Sequence, residues 1–301
     1  MSWPKINLQT EKFGGPVFVL PALAGLTLFI AVPFLLAIIL SFTNLRMGSP
    51  LPTRFVGLQQ YRRILGDTAF LRALLNNGIF AMVVVPLQTS CALLLAIILN
   101  SQIKGRVIFR TLFFMPVVFP MALVAVVWEL IYAPGPAGMM NSFLELISFG
   151  IIQTTDILRN EFLALPAIML LSIWQGVGFQ MVVLLAGLQS IPDMLYDAAA
   201  IDGAGRWQKF RHVTLPQLRN PLIFTALVTT ILAFRVFDQV QIMTRGGPKN
   251  ATTTVMFEAV RTAFERQQIA RASAMTVVFF IIVLVITWIQ HGSMKQERAT
   301  D

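Results

Sequence analysis

Long charge-free stretches alternate with short polar ones along this chain. The apolar runs cover 16–42, 78–99, 111–133, 165–187, 221–243 and 272–290. Each approaches or exceeds the roughly 17–25 residues a helix needs to cross a bilayer. The pattern therefore predicts an all-α integral membrane protein with six transmembrane helices. Pro21 and Pro33 lie inside the first run, which a spanning helix tolerates when neighbours re-satisfy its backbone. That run exceeds the roughly 7–15 residues of a signal-peptide core and has no small-residue cleavage site, so it reads as a retained helix. Polar tails are expected over 1–15 and 291–301. In the polar connector 43–77, Phe55–Tyr61 and Phe70–Asn76 have the spacing of short interfacial helices. Phe143–Ile152, which carries Glu145, is too short to span and reads as a surface helix.

Composition agrees with a membrane protein. Hydrophobic residues make up 56% of the 301 and charged ones only 12%, against about 25% charged in soluble proteins. The net charge is +9. Its bases are scattered, as expected of membrane-flanking charge rather than of a nucleic-acid surface. Cys91 is the only cysteine, so no disulfide forms within the chain. Only His212 and His291 add imidazoles, which argues against a metal site. There is no phosphate-binding Gly-x-x-x-x-Gly-Lys-[Ser/Thr], no nucleophile elbow and no His-Glu-x-x-His. The chain is therefore expected to hold no catalytic residue, metal or nucleotide of its own. Charge does not orient it. Apart from Arg235, inside a run, the 23 Lys and Arg divide equally between the two sides of a six-span chain.

The most unusual polar stretch is 190–216. Ser190 and Asp193 suit a helix start, Gly203 suits its end, and a second helix with Trp207, Phe210 and Val213 on one face would stop at Pro216. An amphipathic helix lying on the membrane surface is one reading. The cluster of Ala198, Ala199, Ala200, Gly203, Ala204 and Gly205 supports another, a surface that lets a second backbone approach closely. Asp197-Ala198-Ala199, three residues, Gly203, nine residues and Val213-Thr214-Leu215-Pro216 resemble the EAA loop of binding-protein-dependent ABC importer permeases. Asp stands for the usual Glu and Val for the usual Ile. The resemblance implies a type I permease bundle whose cytoplasmic coupling helix docks on a separate ATPase. Asp197, Ala198, Ala199, Asp202, Gly203, Ala204, Leu215 and Pro216 would form that coupling element, with Asp197 as a cap or polar contact. Trp207 and Phe210 would anchor the loop on the chain's own helices.

Polar groups within the runs are the other candidates. Glu129, Arg235 and Asp238 are the ionisable ones. Such groups are costly in lipid and seek a partner or a cavity. Arg235 and Asp238, three apart, would share a helix face and either neutralise each other or line a solute path. Glu129 would serve transport or sit at the interface. In the fourth run, Trp174, Gln175, Phe179 and Gln180 offer aromatic faces and amides to a polyhydroxylated ligand, or glue helices together. Gly176 and Gly178 beside them admit a close neighbour. Phe55-Val-Gly-Leu…Tyr61, Phe237-Asp238 and Thr244-Arg245-Gly246-Gly247-Pro248 resemble stretches of carbohydrate-uptake permeases of the maltose/glycerol-phosphate-like kind.

The resemblance implies a permease that imports a sugar or sugar-derived solute across the bacterial inner membrane, with both termini cytoplasmic. Its expected partners are a cytosolic ATPase dimer carrying ATP and Mg, a second and different permease, a periplasmic or extracellular solute-binding protein, and lipid. The alternative is an ion-coupled secondary transporter using Asp238 or Glu129. The residues do not name the solute.

Overall fold

The computed structural model describes residues 11–101, 104–135, 138–147 and 156–295. Among them, extended chain pairs only at an isolated Thr43–Phe55 bridge; the regular structure is otherwise helical. Four helices are long and apolar enough to cross a membrane, and six spans result if each of two bent helix pairs counts as one. The expected tails, 1–15 and 291–301, lie largely outside the described residues, although helix is present from Glu11 and up to Lys295. The chain divides into two compact units. One is built from the chain up to Leu65 with Ala259–Val278, the other from Gly66–Glu258 with the chain from Phe279 on.

In the first unit, α1 runs Glu11–Leu26, widens through a π-turn at Thr27–Ala31 and continues as Val32–Ser41. The π-turn explains how Pro33 is carried. A proline ring clashes with the carbonyl four residues back, and a wider turn there relieves the clash. None of the apolar window of Val19–Ser41 is buried. Beyond it the chain folds on itself. Val56 N–H donates to Phe42 O at 2.8 Å and Asn44 N–H to Arg54 O at 3.1 Å. Gly57, at φ +57, then turns the chain into α2, Gln59–Leu65. Helix thus starts at Gln59, and Phe55–Tyr61 is not the continuous interfacial helix its spacing suggests.

The second unit opens with α3, Thr68–Asn100, capped by the Asp67 carboxylate accepting from Ala69 N–H at 3.0 Å. With a cap at 67 and no break after it, Phe70–Asn76 joins the span instead of forming a separate helix. The run 111–133 is not one helix. Arg106–Val118 (α4) and Met121–Ile131 (α5) meet at 102°. The cause is Pro120, which forces Phe119 into extended backbone at φ −81, ψ 140. Next, α6 spans Met139–Ile147; residues 148–152 of the expected surface helix lie outside the described residues. The central helix is α7, Ala164–Gln189, half of whose apolar window is buried. Ala92, Ala96 and Leu99 of α3 pack against Met181, Leu184 and Leu188 of α7. In lipid such small-residue contacts stabilise through close packing rather than exclusion of water.

Two short helices follow, α8 (Asp193–Ile201) and α9 (Arg206–Gln217), then α10 (Arg219–Phe234), bent by 65° from α9. Here the expected run 221–243 breaks over Arg235–Phe237, and helix resumes at Asp238 and widens into a π-turn at Val240–Thr244. Helix α11 (Val255–Val260) and the final helix α12 (Ile269–Lys295) complete the chain.

Candidate functional site

The break at the end of α10 forms one wall of a cavity of about 320 Å³. Gln88 of α3, Ser172, Gln175 and Gly176 of α7, Thr229 of α10 and the stretch Arg235–Gln239 line it, with Phe80, Val84 and Met121 supplying apolar surface. At membrane depth, backbone freed from a helix persists only when it is buried in protein or lines a cavity and its polar groups find partners. The second unit supplies them from elsewhere. Asn77 Nδ2 donates to Phe234 O at 3.2 Å, while its Oδ1 accepts from Val255 N–H at 2.8 Å. Thr254 Oγ1 donates to Val236 O at 2.8 Å. Asn76 Nδ2 donates to Asn250 O at 3.0 Å and Thr253 O at 2.9 Å. Gln239 Nε2 donates to Ser172 Oγ at 3.2 Å. The broken wall is thus fixed by side chains of α3, α7 and the segment before α11.

The second element is the 190–216 loop. Helix α8 ends as a Schellman motif, with Ala204 N–H donating to Ala199 O at 2.9 Å and Gly203 N–H to Ala200 O at 3.1 Å. Gly203 sits at φ +76, a conformation costly for any residue with a Cβ. Leu195 and Tyr196 rest on the α3–α7 core, and Tyr196 Oη lies 2.9 Å from Thr214 Oγ1 of α9. The opposite face is open: Met194 is 72% and Ile201 87% exposed, with Asp197 and Ala198 exposed between them. These four occupy successive i, i+3, i+4 and i+7 positions, one face of a helix.

A family model, "Binding-protein-dependent transport system inner membrane component", matches residues 88–293. The chain belongs to that family. It is 36% identical over 93% of its length to the probable ABC transporter permease YurN of Bacillus subtilis, covering 95% of that protein. It is 34% identical over 97% of its length to the trehalose/maltose transport permease MalF of Thermococcus litoralis, covering 98% of it. In fold it is similar to a chain of the bacterial alginate ABC transporter solved with an alginate pentasaccharide-bound periplasmic protein. There the TM-score is 0.82 and the identity 19%, with 95% of this chain and 96% of that one covered. This permease is a multi-pass inner-membrane transport subunit.

Within the permease, the expected solute residues separate into two groups. Gln175, Arg235 and Asp238 line the cavity, and Gln175 Nε2 also donates to Phe119 O at the α4–α5 bend, at 3.1 Å. No hydrogen bond or ion pair joins Arg235 to Asp238, because the helix that would place them on one face ends at Phe234. Trp174, Phe179 and Gln180 are not in the lining. Trp174 meets Trp128 with ring centroids 5.5 Å apart and planes tilted by 58°. Gln180 is buried and donates to Thr229 Oγ1. Glu129 lines a different recess with Tyr132 and Asp156. Asn76, Asn77, Gln88 and Gln239 escaped the sequence reading. The adjacent amides at 76 and 77, beside an apolar run, were the available signal.

In the loop, Ser190 does not cap α8. Its Oγ donates to Gly187 O at 2.8 Å and closes α7, while Pro192 is the N-cap. Asp197 makes no cap, being mid-helix and exposed. Ala199 is partly covered, and Asp202 is the exposed C-cap. Trp207 is 69% exposed and meets Phe210 in a tilted pair with centroids 5.4 Å apart, so it does not anchor the loop in the core; Leu195 and Tyr196 do. Leu215 and Pro216 are exposed, and Pro216 lies inside α9 instead of ending it. A π-turn at Phe210–Thr214 precedes it, as one precedes Pro33. In the connectors away from this loop, Glu161 sits 2.6 Å from Lys249 and raises the lysine pKa through their hydrogen bond and charge. The pair is complete below the ordinary lysine value of 10.5 and lost as pH rises through the raised one. The pair lies at the surface, with the Lys249 side chain 83% exposed, so Lys249→Ala is expected to leave uptake near neutral pH unchanged, as measured with radiolabelled solute.

Proposed function

We propose that this permease is the membrane subunit of an ATP-driven importer for a sugar or sugar-derived solute. The observation that carries the reading is the cavity at the α10 break. It brings amides of Gln88, Gln175 and Gln239, hydroxyls of Ser172 and Thr229, and the Arg235 and Asp238 side chains around apolar surface. Such a mixture suits a ligand rich in hydroxyls, whose many donors and acceptors each need a partner once water is excluded. The trehalose/maltose relative supports the same solute class, and the binding-protein complex of the alginate transporter supports delivery by an extracytoplasmic solute-binding protein.

The energy enters through 190–216. In this reading α8 presents Met194, Asp197, Ala198 and Ile201 to a separate ATPase dimer, which carries ATP and Mg. Gly203 ends the docking helix, and Ala204, Leu215 and Pro216 shape its return. The loop is then cytoplasmic, the six spans place both termini on that side, and a second, different permease completes the pore. ATPase closure moves α8, the α3–α7 core beneath it transmits the motion, and the cavity changes its opening.

The test is uptake of radiolabelled disaccharides into vesicles holding this permease with its ATPase, second permease and binding protein. Replacing Ile201 by Glu puts a charge in place of the most exposed apolar side chain of the docking face, at its C-terminal end. It should lower uptake and ATPase co-purification by roughly tenfold or more, as loss of an interface anchor does, with membrane insertion unchanged. Undiminished co-purification would remove α8 as the docking element. Uptake by the permease alone, driven by an ion gradient, would overturn the ATP-driven reading.

A further inference from the structure

The amides around the α10 break differ in what they already hold. Gln175 Nε2 donates to Phe119 O and Gln239 Nε2 to Ser172 Oγ. Gln88 holds nothing. It lines the cavity and is only 5% exposed. Neither its Nε2 nor its Oε1 has a hydrogen-bond partner among the described residues, and neither is sealed in protein as Gln180 Oε1 is. Arg235 and Asp238 line the same cavity but are exposed, where water satisfies a polar group.

Two helices build this placement. Phe80, Val84, Gln88, Ala92 and Ala96, four apart, run along the buried side of α3, and Gln88 is the one polar member. Across the seam stands Gly176 of α7. A Cβ built there lands on Gln88 Nε2, 3.0 Å from Cδ and 3.1 Å from Oε1, so its three nearest atoms all belong to that amide. Gly178 clears main chain of α4, whereas Gly176 clears the Gln88 side chain. Glycine inside a helix is less stable than alanine, and here it makes room for an amide with nothing to bind. A buried amide without a partner is itself destabilising. Both costs are offset when a molecule in the cavity pairs with the amide. A primary amide presents an acceptor and two donors in one plane. Two adjacent ring hydroxyls match it, one donating to Oε1 while the other accepts from Nε2.

We propose that Gln88 is the specificity-determining residue of this permease. It reads a pair of adjacent ring hydroxyls on the solute, and Gly176 positions its amide. The assignment rests on the sugar-importer reading and sharpens it to a vicinal diol.

The experiment measures ATP-driven uptake of radiolabelled maltose, lactose and cellobiose, and of monodeoxy derivatives of whichever is imported, into vesicles holding the complete transporter. For the derivatives lacking either hydroxyl of the pair, the parent-to-derivative uptake ratio should fall by roughly tenfold or more from wild type to Gln88→Met, which keeps side-chain length and removes the amide. The same binding protein serves both permeases, so its own preference cancels. Gly176→Ala keeps the amide but pushes it aside, and should lower the same ratios. Melting temperature and co-purification of the ATPase and second permease should be unchanged in both variants, which shows an intact complex. Ratios equal to wild type for every derivative would overturn the Gln88 assignment and leave the importer reading standing. Lost co-purification with unchanged ratios would place the amide in a contact between subunits and overturn it too. No ATP-driven uptake of any sugar by wild type is a different failure: it overturns the importer reading, and the Gln88 assignment with it.

Discussion

Gly178→Val is expected to leave almost no assembled permease in the membrane. Gly178 faces α4 at its closest approach to α7, and a Cβ built there lands on the Phe113 carbonyl, 2.8 Å from its carbon and 2.9 Å from Phe114 Cα. The obstacle is main chain, so no rotamer change relieves it and the two helices must separate. Overpacking of this kind costs about 3 kcal/mol or more, a large share of the total stability of a typical domain. Thermal unfolding of the detergent-solubilised permease measures it. Gly78→Ala is the control. Also mid-helix, Gly78 has nothing within 4 Å of its would-be Cβ, and alanine there should be neutral or gain up to about 1 kcal/mol. Equal stability of the Gly178 variant and wild type would show that α4 and α7 do not meet as described.

Asn77→Leu should abolish uptake while leaving the permease membrane-inserted. The substitution removes the donor to Phe234 O and the acceptor for Val255 N–H, both buried. Each orphaned group costs about 1–3 kcal/mol, enough together to shift the α10 break away from its present form. Uptake should fall on the order of a hundredfold or more. Thr254→Val, which frees Val236 O on the same break, should cost less. Combining the two should be non-additive, because one broken segment feels both. Strictly additive effects would mean that Asn77 and Thr254 hold separate structures. Asn77→Asp keeps the acceptor and loses the donor, so it separates the two halves of the role.

These residues also mark how far sequence carries. The Schellman end of α8 was legible because only glycine sits comfortably at the φ of Gly203. The α4–α5 bend was written in Phe119-Pro120, yet an unbroken apolar run concealed it. Hydrophobicity does not report the angle at which a helix leaves a proline. The α10 break was not legible at all. No glycine or proline lies between 222 and 245, and the partners that make the break tolerable come from Asn77 and Thr254. For the same reason the spacing of Arg235 and Asp238 misled, since a three-residue interval means a shared face only while the helix continues. On α7, Gln175 and Gln180 lie five residues apart, about 140° around the helix. Both cannot face one cavity, and periodicity alone does not say which does.

The length of α10 has a consequence for how the protein is made. Its 16 residues rise about 24 Å, short of the roughly 30 Å of hydrocarbon. The adjoining α9 carries Arg206, Lys209 and Arg211 and cannot make up the difference. The remaining depth is covered by the irregular stretch after Phe234, whose carbonyl is capped by a residue 157 positions earlier. Leaving the ribosome, α10 is therefore a poor membrane segment by itself, whereas α3 is already in the bilayer with its amide waiting. Biogenesis becomes ordered by that one bond. The late helix is completed by the early one, and in a nascent chain carrying Asn77→Leu α10 should insert more slowly than in wild type, staying longer accessible to water-soluble thiol probes placed along it before it reaches the membrane.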